Sequence, residues 1–347
     1  MNLAEAGGWP AILGTLTDKR DLRAEQAAAA LGDILDGQAT SAQIAAFCVA
    51  LRMKGETVEE MTGLLDAMLE HAEAIPLDSD GLIDTCGTGG DQSGSINVST
   101  LAAVVVAGAG ARVCKHGNRA QSSQCGSADV LEALGVAIDV GPSGVATCVE
   151  EVGIGFCFAP RFHPALRHAG PTRRELGVRT MFNFLGPLAN PARVRRQALG
   201  VSDPAMAEKV MGVLSARGAE RALVFYGHDG LDELTTTAAS TVLELRDGDV
   251  RSYVVDPSAL GIALVTADAL RGGDASENAA MVRRVLDGEA GAHRDIVVLN
   301  AAAGIVAAGL ADDLAQGAEA ARAAIDDGGA AEALGGLVST SQTVTDG

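Results

Sequence analysis

The sequence predicts an α/β protein: a small helical domain plus a larger α/β domain with a mostly parallel central sheet flanked by helices. Three observations carry that prediction. The first 75 or so residues show helical periodicity and no strand signal. From Gly81 short apolar runs alternate with helical stretches, the pattern of a parallel sheet covered on both faces. The length, 347 residues, suits about two domains.

Taken in order, Thr40 with Gln43 and Thr57 with Glu60 form capping boxes that open two helices. Apolar residues recur at helical spacing through Ile44, Phe47, Cys48 and Leu51, then Met61, Leu64, Leu65 and Met68. The strand GLIDTCG follows, then the helix VSTLAAVVVAGAG, the strand ARVCKHG and the helix SADVLEALG. Two further units pair GVATCVEEVG with IGFCFAP and MAEKVMGVLSARG with RALVFYG. The segment 161–190 (RFHPALRHAGPTRRELGVRTMFNFLGPLAN) lacks strand signals and is expected to return to the helical lobe. The expected division is therefore a helical domain over 1–75, completed by about 165–190, and a large domain over 76–164 and 191–347. SENAAMVRRVLDG and DIVVLNAAAGIVAAG continue the mixed pattern towards the end of the chain.

A formal charge of -19 argues against nucleic-acid and anionic-membrane partners, whose binding rests on clustered Lys and Arg. Any anionic ligand must be held locally, against the overall field. No basic start with a long apolar core precedes the first helix, and no apolar run reaches about 18 residues, so a cytoplasmic protein is expected. Cys48, Cys86, Cys114, Cys125, Cys148 and Cys157 form no CxxC pair and read as small buried hydrophobes in a reduced compartment.

Ligands of an open parallel sheet sit at the carboxyl ends of its strands, so the loops there are where chemistry is sought. DTCGTGGDQSGSINVST (84–100) is neither GxGxxG, because Gln92 stands at the third glycine, nor a Walker A loop, because Ser95 follows Gly94 where Lys belongs. It still suits an anion: glycines let several N–H groups converge, and Asn97, Ser99 and Thr100 lie at a helix start. Asp91 in such a site serves sugar hydroxyls or a metal. KHGNRAQSSQCGSADVLEALG (115–135) also follows a strand and supplies cations and serines, which beside the first loop would make a two-walled polyphosphate pocket. HDGLDELTTT offers adjacent Asp232 and Glu233, oxygen ligands of the kind Mg²⁺ takes. Arg173, Arg174 and Arg179 could form a fork for a substrate carboxylate or lie on a solvated helix face. His163 and His168 are five apart, off a common helical face, and read as ordinary polar residues.

GTGGD (87–91), NVST (97–100), KHGNRA with its serine-rich continuation (115–123), GSADVLEALG, RRELGVRTMFNFLGPLANP and LDEL (231–234), in this order over about residues 80 to 240, resemble the anthranilate phosphoribosyltransferase family. The resemblance implies a helical domain and a larger α/β domain, the latter carrying the donor and metal sites, a fold shared with pyrimidine nucleoside phosphorylases. It implies a homodimer joined through the helical domains. It also implies that anthranilate's amine displaces pyrophosphate from 5-phosphoribosyl 1-pyrophosphate in tryptophan biosynthesis. By position, Gly87, Gly90, Asp91, Ser95, Asn97, Val98, Ser99 and Thr100 would hold the donor. So would Lys115, His116, Gly117, Asn118, Arg119, Ala120, Gln121, Ser122, Ser123 and Ser127. Ser99, Asp232 and Glu233 would help bind two Mg²⁺ ions per chain, and Gly87, Asn118 and Arg173, or its neighbour Arg174, would contact anthranilate. No residue is implied as a dedicated base or nucleophile.

The sequence departs from the family pattern at Ser95, where Thr is common, at Gln92, where a small residue is common, and at Cys125, in a stretch usually filled by Ser. The hydroxyl at Ser95 survives, so the implied activity stands. Two alternatives are weighed: a pyrimidine nucleoside phosphorylase of the same fold, and a non-catalytic relative that binds nucleic acid. The vicinal Asp232 and Glu233 speak against the first, and the charge of -19 against the second.

Overall fold

The computed structural model describes residues 1–120 and 124–344, so the expected donor residues Gln121, Ser122 and Ser123 lie outside the described residues. The chain opens with four helices, α1 (Gly8–Thr17), α2 (Ala24–Leu35), α3 (Ser41–Lys54) and α4 (Val58–Glu70). Both expected capping boxes are formed: the Thr40 hydroxyl accepts from Gln43 N–H, and the Thr57 hydroxyl from Glu60 N–H. Glu60 reaches further, into the core of the bundle, where its carboxylate meets Lys54 at 2.8 Å and the Leu22 N–H at 2.9 Å.

The second part alternates as β1 (Leu82–Gly87), α5 (Val98–Gly108), β2 (Arg112–Gly117), α6 (Ser127–Leu134), α7 (Pro142–Val152) and β3 (Ile154–Phe158). Three short helices follow, α8 (Ala159–Phe162), α9 (Gly170–Leu176) and α10 (Phe182–Leu188). Next come β4 (Arg196–Gly200), α11 (Pro204–Ala216), β5 (Arg221–Gly227) and the hairpin β6 (Ser240–Arg246) with β7 (Asp249–Val255). The chain closes with α12 (Ala275–Leu286), α13 (Ala292–Ala308), α14 (Leu314–Asp326) and α15 (Gly329–Thr343).

The seven strands form one sheet in the order β3-β2-β1-β4-β5-β6-β7, parallel through β5 and antiparallel beyond. The order reverses direction at β1, which lies between β2 and β4; a crevice opens at such a switch point, at the carboxyl ends of the strands. One face of the sheet packs on α5 and α13, whose Val104, Val106, Ile305 and Val306 are buried with Ile83 and Leu223. The other face shares a core with the helical part: Leu199 and Val224 of the sheet, Val210 of α11, Leu64 and Phe47 of the bundle, and Phe184 and Leu185 of α10 are one cluster. The 161–190 segment therefore packs on the N-terminal helices and fixes them over the carboxyl end of β1. All six cysteines are buried and none is in a disulfide.

Candidate active site at the switch point

The glycine loop runs from the end of β1 to Asn97, the N-cap of α5. Gly89 and Gly90 adopt left-handed φ of +65° and +79°, and Gln92 does so at +59°, unusual for a residue with a side chain. Two acidic side chains hold this loop from the far side of the crevice. Asp232 Oδ2 accepts from Gly89 N–H at 2.6 Å, and Glu233 Oε1 accepts from Ser99 N–H, in the first turn of α5, at 3.1 Å. Gly87 and Gly200 make that approach possible, since a Cβ on either would collide with Asp232. The adjacency of β1 and β2 brings the second loop alongside: the Thr100 hydroxyl donates to the Ser127 hydroxyl at 2.9 Å, joining the starts of α5 and α6. The two loops expected to face an anion therefore lie side by side.

Asp232 and Glu233 are both buried. Desolvation drives their carboxyls well above the usual range, and mutual repulsion adds to it, Asp91 acting on both and Asp232 on Glu233. Lys115 opposes this at Glu233; the residue is 2% exposed and its ammonium donates to the Thr85 carbonyl at 2.6 Å. Lys115 also steadies Asp84, a fully buried carboxylate that burial pushes up to about 6. Among the described residues no three or more His, Cys, Asp or Glu side chains form a ready metal cage. The arrangement fits an ion that takes one or two carboxylates from protein and the rest from phosphate and water, as Mg²⁺ does. Asp232 and Glu233, adjacent, buried and facing the glycine loop, are a donor set of that kind.

The remaining expected residues divide. Ser95 carries its hydroxyl on the loop, accepting from Ser93 Oγ at 3.1 Å. Val98 is buried in the first turn of α5, and Gly117 ends β2, where a Cβ would meet Phe156 and Ser127. The side chain of Asn97 is engaged by protein, donating to the Cys125 carbonyl at 3.0 Å and accepting from Asn278 at 2.9 Å. Asn118 folds its carboxamide oxygen onto the Arg119 N–H at 2.7 Å. Arg119 is exposed and pairs with Asp129 and Glu132, while Asp129 also accepts from the N–H groups of Ala120 and Gly126, which ties the second loop closed. His116 points its ring away from the loops: it is buried with its centroid 5.2 Å from that of His163. Its expected contribution is therefore confined to its backbone and to packing.

Sequence reasoning passed over several residues that position the site. Asn190 donates to Asp84 Oδ2 at 2.9 Å and to the Cys114 carbonyl at 2.7 Å, locking α10's end to β1 and β2. Asn300, on α13, accepts from Leu234 N–H at 2.9 Å and donates to its carbonyl at 2.8 Å, clamping the residue after Glu233. The signal for Asn300 was in the sequence: an amide inside the apolar run VVLNAAAGIV has to find partners when buried. Ser202, which grips Gly89, had no such signal, and Arg179, considered from the sequence as part of a carboxylate fork, instead donates to the Gly89 carbonyl.

Residues 10–72 match the family model described as glycosyl transferase family, helical bundle domain, and residues 79–331 match its a/b domain. A Rhodococcus jostii protein named anthranilate phosphoribosyltransferase is 56% identical over 332 residues, 94% of this chain and 91% of that one. The crystal structure of anthranilate phosphoribosyltransferase from Thermus thermophilus superposes with a TM-score of 0.91 at 40% identity, covering 96% of this chain and 99% of that one. That of the Saccharomyces cerevisiae enzyme in complex with PRPP and Mg does so at 0.89 and 26% identity, covering 97% and 98%.

Proposed function

The chain belongs to the anthranilate phosphoribosyltransferase family, and from that premise we propose how its residues share the work. The activity is transfer of the 5-phosphoribosyl group of 5-phosphoribosyl 1-pyrophosphate to the amine of anthranilate, with release of pyrophosphate, a step of tryptophan biosynthesis that uses Mg²⁺. Displacement at an anomeric carbon passes through a transition state with oxocarbenium character. Its demands are stabilisation of the leaving group and positioning of the nucleophile. When bound, Mg²⁺ supplies charge neutralisation on the pyrophosphate. N–H groups of the glycine loop and of the α5 start, other than those of Gly89 and Ser99 that the carboxylates occupy, would supply preorganised donors, one of which is worth roughly 3 kcal/mol when aimed at developing charge.

Our reading assigns the donor to Gly87, Gly90, Asp91, Ser95, Asn97, Val98, Ser99 and Thr100, to the run 115–123 and to Ser127, and two Mg²⁺ ions per chain to Ser99, Asp232 and Glu233. The observation that carries it is the pair of buried, adjacent carboxylates held on Gly89 N–H and Ser99 N–H. Anthranilate is assigned to Gly87, Asn118 and Arg173. An aromatic amine is unprotonated at neutral pH, so this chain has to orient it, and no residue is assigned as a base. The reading keeps the division into a helical domain of 1–75 with 165–190 and a large domain of the rest, supported by the shared cluster of Phe47, Leu64, Phe184 and Leu185. A cytoplasmic location is supported by six buried thiols and phosphorylated substrates. A homodimer through the helical domains is supported by an uncharged exposed face on α1 and α3.

The test is loss of anthranilate fluorescence on adding the phosphoribosyl donor and Mg²⁺. Consumption should require both and should fall at least about 100-fold in the Asp232→Asn, Glu233→Gln double variant at saturating Mg²⁺. Near wild-type turnover in that variant would remove the metal assignment. Phosphorolysis of uridine or thymidine by the wild type would favour the phosphorylase alternative.

A further inference from the structure

Arg179 follows closely on α9, the helix that carries Arg173, and has no role in the assignments above. Its Nη2 donates to the Gly89 carbonyl at 2.9 Å, and its Nη1 to the Ser202 hydroxyl at 3.0 Å, which itself donates to the same carbonyl at 3.0 Å. The ring of Phe184 supports the guanidinium from 5.4 Å. Nε is buried and has no hydrogen-bond partner among the described residues, so the grip seen there is made by the two Nη groups. Gly89 is thus held at both poles, its N–H by the Asp232 carboxylate at 2.6 Å and its C=O by a cation and a hydroxyl. Bonds to charged groups are shorter and roughly twice as strong as neutral ones, so these contacts determine how the left-handed Gly89–Gly90 turn presents its amides. The fit is close: a Cβ on Gly90 would lie 3.0 Å from the guanidinium carbon.

We propose that Arg179 is a positioning residue that, through the Gly89 carbonyl, turns the Gly89 N–H onto Asp232 and ties the glycine loop to the α9 segment bearing Arg173. The inference rests on the reading of the site given above. It makes one continuous path from the acceptor side, through Arg179 and Gly89, to the carboxylates that would bind metal. Ser202 is the second anchor of that path, since its own N–H donates to the Thr88 hydroxyl at 3.1 Å.

The experiment compares wild type with Arg179→Met, Arg179→Lys and Ser202→Ala. In protein free of metal and substrates, amide hydrogen exchange of the segment 87–92 should quicken about ten-fold in Arg179→Met and by less in Ser202→Ala. In turnover, Arg179→Met should raise the donor KM and the Mg²⁺ concentration for half-maximal rate about ten-fold, with the anthranilate KM within about two-fold. Arg179→Lys should recover part of both effects, because an ammonium can reach one of the two acceptors. Unchanged exchange with an unchanged donor KM would overturn the proposal, as would a rise in the anthranilate KM alone, which would make Arg179 a carboxylate receptor. If Arg179→Met fails to fold, the exchange and KM pattern of Ser202→Ala and Arg179→Lys decides. Absence of anthranilate-dependent turnover in wild type would strike the functional reading instead, with the exchange result still judging the clamp.

Discussion

Arg173 stands with its guanidinium carbon 4.6 Å over the ring of Phe182 and has no carboxylate partner among the described residues, while Arg174 beside it is exposed. Burial lowers the Arg173 pKa, so the cation is partly stripped of water without the anion that would compensate it. A planar fork in that condition is the better receptor for anthranilate's carboxylate. Arg173→Ala should raise the anthranilate KM about 10- to 100-fold, the loss of a charge-assisted pair, and move the donor KM far less. Arg174→Ala should leave both nearly unchanged. Steady-state kinetics on the two variants checks this, and the opposite ranking would move the assignment to Arg174. At this scale the sequence conveyed residue types and not their surroundings. Lys115 was legible as a cation beside a phosphate-like loop, but its burial against Asp84, Thr85 and Glu233 depends on β1 and β2 being neighbours. Arg179 and Arg173 share one short motif and face different partners for the same reason.

Among the elements, strands announced by apolar runs (β1, β2, β3 and β5) were readable, and β4, β6 and β7 were not. β4 is five residues and begins Arg-Gln, so it offers no apolar run; its place is set by pairing on both sides. The β6–β7 hairpin does carry a signal, the Asp247-Gly248 turn with both φ positive, but β7 is largely exposed and an apolar-run criterion passes it by. The short helix α10 is held by a device no periodicity reveals: His116 and His163, buried with their rings tilted against one another, hydrogen-bond the backbone of Gly186 and Ala189. Desolvation is the main cause that lowers them from 6.5 to about 3 and about 4. Both are neutral in the fold and more basic in the unfolded chain, so their contribution to stability is complete above pH 6.5 and is lost as pH falls towards 4. Asp84 acts oppositely: raised to about 6, it favours the fold as pH falls from there to 3.8. The net curve mixes these terms, and a difference isolates one. Melting of His163→Asn, which keeps a donor for the Ala189 carbonyl, should decline less steeply than wild type between pH 6.5 and 4.5. Parallel curves would show that His163 is not the titrating group.

For the whole molecule, the charge of -19 makes one copy repel another almost everywhere, so a face without charge is where two copies could meet. Ala42, Ala46, Val49 and Met53 lie along one side of α3 at spacings of four, three and four, all exposed, with Met53 at 81%. α1 packs against α3, and its sequence GWPAILGTLT contains no charged residue. Small residues allow close helix approach, and Val and Met supply an apolar centre of the sort found in homodimer interfaces. The face lies on the bundle, and all the proposed binding residues come from a single chain. Dimerisation and catalysis should therefore separate. Val49→Glu with Met53→Glu would bury like charges across a twofold axis, which costs several kcal/mol, so the dimer Kd should rise at least about 1000-fold. Sedimentation at micromolar concentration should find the wild type dimeric and the variant monomeric, with turnover per chain within about two-fold of wild type. A wild-type monomer, or a variant that stays dimeric, would place the interface elsewhere or remove it. A monomeric variant without activity would mean that the partner's helices hold the α9–α10 segment, and with it Arg173 and Arg179, over the crevice.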